Sequence, residues 1–348
     1  MFKKILFRLF VLMAAASLLL AGCGKPTDAE VIEPEPEPDG SGGYKIETIS
    51  ETPGYAQDVA KKDTLLFIAQ GEAGLLIMNV KDPLNPEVVS VTTEGVRGYS
   101  SKVIVQENVA YMAAGTYGVT LVDVENPFQT QVTGWYLEVV QPARNLFVMD
   151  NYLFTAISEK GVQIVYVKKP NQPLPDVRAN IHTTGYAYAV CTTTDTTKMM
   201  VACGELGLSI FDITDFQNGY GNYPLIGTVD TPGYSEDVVI SPDEPIAYMA
   251  CGIAGLQIID YSDTTNIHVA GMLDEGGYAK ELLYRDGKIF MTAELRGLQV
   301  IDVADPTNPV LLGEVDTEFA LGIDIDDHYV YIADEDQGLI VISRPDGK

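Results

Sequence analysis

From residue 44 onward, short apolar runs alternate with tight clusters of Gly, Asp, Asn and Pro, and the alternation repeats. A 13-residue block occurs seven times: Ile68 to Val80, Met112 to Val124, Thr155 to Val167, Val201 to Ile213, Met249 to Tyr261, Met291 to Val303, and from Ile332 onward. Each block holds one apolar run, a glycine loop and a second apolar run. The anchoring glycines are Gly74, Gly118, Gly161, Gly207, Gly255, Gly297 and Gly338, spaced 41 to 48 residues apart. That period fits four short strands and their turns. The runs are rich in Val, Ile, Tyr and Thr, and they lack a 3.6-residue periodicity. The pattern predicts an all-β fold: a seven-bladed β-propeller with four-stranded antiparallel blades.

Each repeat divides into strands A to D. Strand A is expected to begin near a Gly-Tyr pair and to end in a hairpin turn such as Asp286-Gly287, with Asp150-Asn151 and Asp327-His328 at the matching places. Strands B and C flank the glycine loop, whose Gly is expected at positive φ. Loops such as Asp82-Pro83-Leu84-Asn85-Pro86 lead to an outer strand D. The final repeat stops after strand C at Ser343, while Tyr44 to Ser50 form an unassigned strand before the first strand A. This segment therefore predicts a strand D that completes the seventh blade and closes the ring.

The strand C cores Leu121-Val122-Asp123-Val124, Ile258-Ile259-Asp260-Tyr261 and Val300-Ile301-Asp302-Val303 resemble the LVIVD repeat of bacterial and archaeal surface proteins. Asn79, Tyr166 and Ser343 stand where other copies have Asp. The resemblance spans residues 44 to 348. It implies a β-propeller at the cell surface and no particular chemistry.

The first 43 residues follow a different logic. Lys3, Lys4 and Arg8 precede an uncharged run, Leu9 to Leu20, that is too short to span a bilayer comfortably. Leu20-Ala21-Gly22-Cys23 then resembles a bacterial lipobox, which implies a signal peptide over 1–22, cleavage before Cys23 and acylation of that cysteine. More than one acyl chain would hold the protein at a membrane surface. Gly24 follows the cysteine where a sorting Asp could stand, which favours the outer membrane of a double-membraned cell. Residues 23–43 include Glu33-Pro34-Glu35-Pro36-Glu37-Pro38 and then a Gly-rich stretch; extended at ~3.1 Å per residue they form a tether of roughly 60 Å. The expected address is the bacterial envelope, lipid-anchored.

Charge narrows the partners. The formal net charge is -27, and losing the basic leader makes the chain more acidic still. Nucleic acid is excluded as a partner on this ground, and direct adsorption to anionic headgroups is disfavoured.

Candidate chemistry concentrates where strand A meets the channel mouth. Five blades repeat the Tyr there, which reads as packing between blades. The two positions after the following small residue differ from blade to blade: Gln57 and Asp58, Ser101 and Lys102, Arg144 and Asn145, Tyr188 and Ala189, Glu236 and Asp237, Lys280 and Glu281. Variation inside a repeated frame is where individual function can be written. The candidate binding set is Gln57, Asp58, Lys102, Arg144, Asn145, Tyr188, Glu236, Asp237, Lys280 and Glu281. Two readings compete for it, a ligand-binding mouth and a ring of mutually satisfied ion pairs.

No catalytic triad, phosphate loop or zinc-spaced ligand set is present around His182, His268 and His328. No cofactor is expected. Ca²⁺ enters only through the acids Asp324, Asp326, Asp327, Asp334, Glu335 and Asp336, which lack an EF-hand frame. Cys191 and Cys203 flank a hairpin and could face one another; small buried thiols are the expected state of both and of Cys251. The expected function is a non-enzymatic envelope binding or scaffolding module for protein, peptide or glycan. The rival is a lyase- or lactonase-type propeller enzyme using channel carboxylates, with or without Ca²⁺.

Overall fold

The computed structural model describes residues 40–136, 142–167, 176–218 and 221–345. The leader, Cys23 and the tether up to residue 39 lie outside the described residues. The rest is a ring of seven four-stranded antiparallel sheets. Blade 1 is typical: strand A is Asp58–Lys62, B Leu65–Ala69, C Leu75–Asn79 and D Glu87–Thr92.

Closure happens as the repeat pattern requires. Lys45–Ser50 pairs antiparallel with Gly338–Ser343, with Ile46 opposite Ile342 and Ser50 opposite Leu339. The other six blades carry a register shift between strands C and D at one equivalent place, such as Ile77/Met78 and Val300/Ile301. The closing pair has its own shift, between Ile46 and Thr48. A bulge between strands C and D sharpens the twist of every blade, and the N-terminal strand keeps that device.

Strands B and C are apolar almost without alternation because neighbouring blades cover both of their faces. Phe67 and Ile77 of blade 1 pack with Val103, Met112 and Val122 of blade 2. At the closing seam, Leu66, Ile68 and Leu76 pack with Tyr331, Ala333, Leu339 and Val341. Strand D lies outermost and alternates exposed with partly buried residues.

Two glycine positions are set by close approach. The seven hairpin glycines all have positive φ, from 66° at Gly255 to 85° at Gly338. A Cβ on Gly297 would sit 2.1 Å from the Val315 carbonyl oxygen, and one on Gly338 2.5 Å from that of Ser50. Closer to the axis, Gly71, Gly204 and Gly252 bridge to Ser100, Ser235 and Ala279 of the following blade. A side chain there would strike the ring of Tyr99, Tyr234 or Tyr278. The repeated Tyr thus lies on the preceding blade, as the packing argument anticipated.

The Asp of the LVIVD core has a local task. Asp123, Asp212, Asp260 and Asp302 each accept the N–H of the second residue onward, and so turn the chain out of strand C. Asn79 serves equally because an amide oxygen accepts the same bond.

Three expectations need correction. Strand A starts several residues after the Gly-Tyr pair, at Asp58, Lys102 and Asp237 among others; Gly98, Gly233 and Gly277 have positive φ, which breaks strand geometry. Cys191 does not face Cys203, because register places it opposite Met200 and puts the two thiols in different interblade cores. All three described cysteines are buried free thiols. Finally, the seventh A–B turn is organised by the Asp326 carboxylate, which accepts the N–H groups of His328 and Tyr329 and the Tyr331 hydroxyl, rather than by a left-handed pair like Asp286-Gly287.

Candidate functional site

The starts of the seven A strands converge on the axis. Where the chain passes from blade to blade, a small residue is required, because its backbone bridges the previous hairpin: Ser100, Ala143, Ala187, Ser235, Ala279 and Ala320 are all essentially buried there. The next two side chains then point towards the channel. Together they surround one cavity of 470 Å³. Gln57, Lys102, Arg144, Asn145 and Tyr188 line it on one side, and Glu236, Asp237, Lys280 and Glu281 on the other. Asp58 is the exception. It is 1 % exposed and lies beneath the cavity.

The floor is an ion cluster across the axis. The Lys102 ammonium lies 3.3 Å from Asp58 Oδ1 and forms an ion pair with Glu281, which is 179 residues away in sequence. Asp58 Oδ2 also accepts the Val103 N–H of the next blade at 2.7 Å, and Asp237 Oδ2 accepts the Leu282 N–H at 2.9 Å. These two equivalent aspartates therefore stitch blade 1 to 2 and blade 5 to 6. Asp324 does the same across the closing seam, accepting the Lys61 N–H at 2.6 Å.

Asp58 and Glu281 share this one buried ammonium, and Asp237 feels its charge. Burial pulls Lys102 towards the neutral amine, but Asp58, Glu281 and Asp237 overcome it and hold the ammonium above its ordinary value. Burial raises Glu281 well above the usual carboxylate range, and the charge of Asp58 adds to the rise. Asp237 is raised by burial too, only partly countered by Lys102 and by backbone N–H groups.

Above the floor, Lys280 Nζ is 3.0 Å from Glu236 Oε2, and the Tyr278 hydroxyl donates to Glu236 Oε1 at 2.8 Å. Arg144 differs from the other two cations. Among the described residues no carboxylate pairs with it. Its Nε donates to Ser158 Oγ at 3.3 Å, and its guanidinium stands 5.2 Å from the centre of the Tyr188 ring. Tyr188 is braced edge-on by Tyr234 at 5.0 Å. The side-chain Nε2 of Gln57 is buried without an acceptor. The mouth therefore has a floor of ion pairs and, in the cavity wall, polar groups with no partner among the described residues.

Residues that strand A alone did not reveal complete the wall. Tyr99, Phe319 and Leu321 supply apolar surface, and Glu294 and Glu335 supply acid. Glu294 and Glu335 occupy the hairpin position that is Gly71, Gly115, Gly204 and Gly252 in other blades. Glu294 holds φ at 46°, a region that favours glycine. That loss of glycine was the signal available in the sequence. Burial raises the Glu294 carboxyl, and Glu236 and Glu335 oppose the relief offered by Lys280. None of the three histidines lines the cavity, and no group of three or more metal-ligating side chains occurs among the described residues. Asp334, from the acidic stretch weighed for Ca²⁺, instead accepts the N–H groups of Phe319, Asp336 and Gln337.

With the ring and its mouth defined, comparison with known proteins is direct. The LVIVD repeat family matches residues 53–93, 97–137, 232–274, 290–317 and 320–343, just over half of the chain. The chain belongs to the LVIVD-repeat family. The matched segments fall in blades 1, 2, 5, 6 and 7. The unmatched blades are 3 and 4; blade 3 departs from the repeat, with Gln141-Pro142 for Gly-Tyr and Tyr166 for Asp, and the two blades carry Arg144, Ser158 and Tyr188. No curated protein matches the chain. Among solved structures, the chain is similar to the computationally designed Ika8 protein (TM-score 0.64, 10 % identity, 87 % of this chain and 100 % of that one). It is also similar to a chain of the mitotic checkpoint complex (TM-score 0.67, 12 % identity, 95 % of this chain and 100 % of that one). At these identities the likeness concerns the propeller fold alone.

Proposed function

We propose that this LVIVD-repeat propeller is a non-enzymatic binding or scaffolding lipoprotein of the bacterial envelope, held by acylated Cys23 and presenting the channel mouth to a partner. The carrying observation is the 470 Å³ cavity, whose wall holds an arginine with no carboxylate and two glutamates with no cation in ion-pair contact among the described residues. The sequence Leu20-Ala21-Gly22-Cys23 and the Glu-Pro tether support the address.

The rival, a lyase- or lactonase-type enzyme, would use Asp58, Glu236, Asp237 and Glu281 for proton transfer or Ca²⁺. Asp58, Asp237 and Glu281 are instead engaged with backbone N–H groups and with Lys102, and Glu236 with Lys280 and Tyr278. Binding is the better fit to such committed acids.

Affinity capture on envelope extracts, with the full chain as bait, tests the mouth. Arg144→Ala combined with Lys280→Ala is expected to reduce recovery of the captured partner at least tenfold while the variant still unfolds in one cooperative transition. Undiminished recovery would remove the mouth from the binding surface. The address has its own test: Cys23→Ser is expected to move the protein from the membrane pellet to the soluble fraction after cell lysis. A variant that stays in the pellet contradicts acyl anchoring.

A further inference from the structure

The two ends of the mouth carry opposite, uncompensated charge. In a ring of seven, the point facing blade 3 falls between blades 6 and 7. Blade 3 carries Arg144, and blades 6 and 7 carry Glu294 and Glu335. Among the described residues Arg144 has no carboxylate partner, and neither glutamate has a cation within ion-pair reach. The hairpin position that is glycine in blades 1, 2, 4 and 5 is Ser158, Glu294 and Glu335 in blades 3, 6 and 7. Glycine is thus abandoned only at the two poles. Ser158 accepts from Arg144 Nε, so its hydroxyl fixes the guanidinium over Tyr188 and leaves the terminal nitrogens of the fork for a ligand. A guanidinium so placed matches a carboxylate in two-pronged geometry. The opposite pole gathers Glu236, Glu294 and Glu335 around a single Lys280, a surplus of negative charge that an ammonium relieves.

We infer that the mouth takes a short dipolar ligand, a peptide with both termini free, its carboxylate on Arg144 and its ammonium between Glu294 and Glu335. The inference deepens the mouth-binding reading and rests on it. The cavity of 470 Å³ falls within the range that encloses a ligand of such size. Tyr99, Phe319 and Leu321 offer apolar wall to its side chains, and Gln57 Nε2 is a buried donor without an acceptor among the described residues. A neutral glycan would leave both poles uncompensated. A purely cationic ligand would meet Arg144, and a purely anionic one the glutamates.

Calorimetric titration of the full chain tests this with a set of tripeptides of varied central residue, each as the free, C-amidated and N-acetylated form. The best free tripeptide is expected to lose at least tenfold in affinity on amidation and on acetylation. In Arg144→Gln the amidated and free forms should bind alike, while acetylation still weakens binding. In the double variant Glu294→Gln, Glu335→Gln the converse should hold. Blocked and free peptides binding equally to the unaltered protein would overturn the dipolar assignment. So would no tripeptide binding while an envelope partner is still captured through Arg144 and Lys280, and in that case the mouth-binding reading survives. Loss of both tripeptide binding and mouth-dependent capture would remove both.

Discussion

Deleting residues 44–50 is expected to lower the melting temperature by at least about 10 °C and to produce concentration-dependent association. The segment supplies the outer strand of the seventh blade through pairings from Lys45–Ser343 to Ser50–Leu339. It also places Tyr44 in the neighbouring core, with its ring edge-on to Phe290 at a centroid distance of 6.2 Å. Without it, strand C at Gly338–Ser343 becomes a bare edge that any extended chain can pair with. A backbone hydrogen bond contributes about 1 kcal/mol net. Loss of the ladder together with Tyr44 therefore amounts to several kcal/mol, and each kcal/mol shifts a domain of this size by roughly 2–4 °C. Differential scanning calorimetry gives the first quantity and light scattering across a dilution series the second. A deletion variant that melts with the parent protein and stays monomeric would show that the ring does not depend on this strand. Adding a peptide of residues 44–50 in trans should restore part of the loss, because blade 7 keeps its register without covalent linkage.

The second large effect concerns the floor. Lys102→Met removes the single ammonium that pairs with Asp58 and Glu281 and whose charge also reaches Asp237, all three largely buried. Breaking a buried ion pair from one side costs about 3–5 kcal/mol because the abandoned charge stays desolvated. The penalty should depend on pH in a definite direction. Burial and the neighbouring Asp58 raise Glu281 above 4.5, and burial raises Asp237 above 3.8. A carboxyl raised on folding holds its proton more tightly when folded. Between its unfolded value and its raised folded value, stability therefore increases as pH falls and decreases as pH rises. With Lys102 gone those folded values climb further. The difference in stability between variant and parent should be largest at neutral pH and shrink on acidification towards the ordinary carboxylate values. Urea titrations at several pH values measure it. A difference that is constant with pH would mean that Lys102 acts through packing alone.

How legible this was in the sequence differs between parts of the molecule. Strand A of each blade presents its inward residues at one height around the axis, so aligning the copies was enough to gather Gln57, Lys102, Arg144, Asn145, Tyr188, Glu236, Asp237, Lys280 and Glu281 around a single cavity. The alignment could not separate Asp58 from Asp237. Both accept the same interblade N–H, yet only Asp58 sits against Lys102, because Lys102 belongs to the neighbouring blade. Glu294 and Glu335 were visible only as departures from glycine in a hairpin, and Glu335 was weighed as part of an acidic cluster. The position of Glu294 over the mouth comes from its left-handed hairpin backbone and from the bridge of that hairpin to Ala320 of blade 7. The proposed facing of Cys191 and Cys203 failed for a related reason. Hairpin register is fixed by the turn, and here it puts Met200 opposite Cys191.

The sequence by itself determined the number of blades, their four strands, the left-handed glycines and the closure by residues 44–50. These follow from period, alternation and local turn chemistry, which act over a few residues and repeat. Tertiary structure alone decided which side chains meet across the axis, as Lys102 does with Glu281, and that Arg144, Glu294 and Glu335 line one cavity. Contacts of that kind depend on how many blades separate two residues around the ring and on how far each side chain reaches. No repeat unit contains that information.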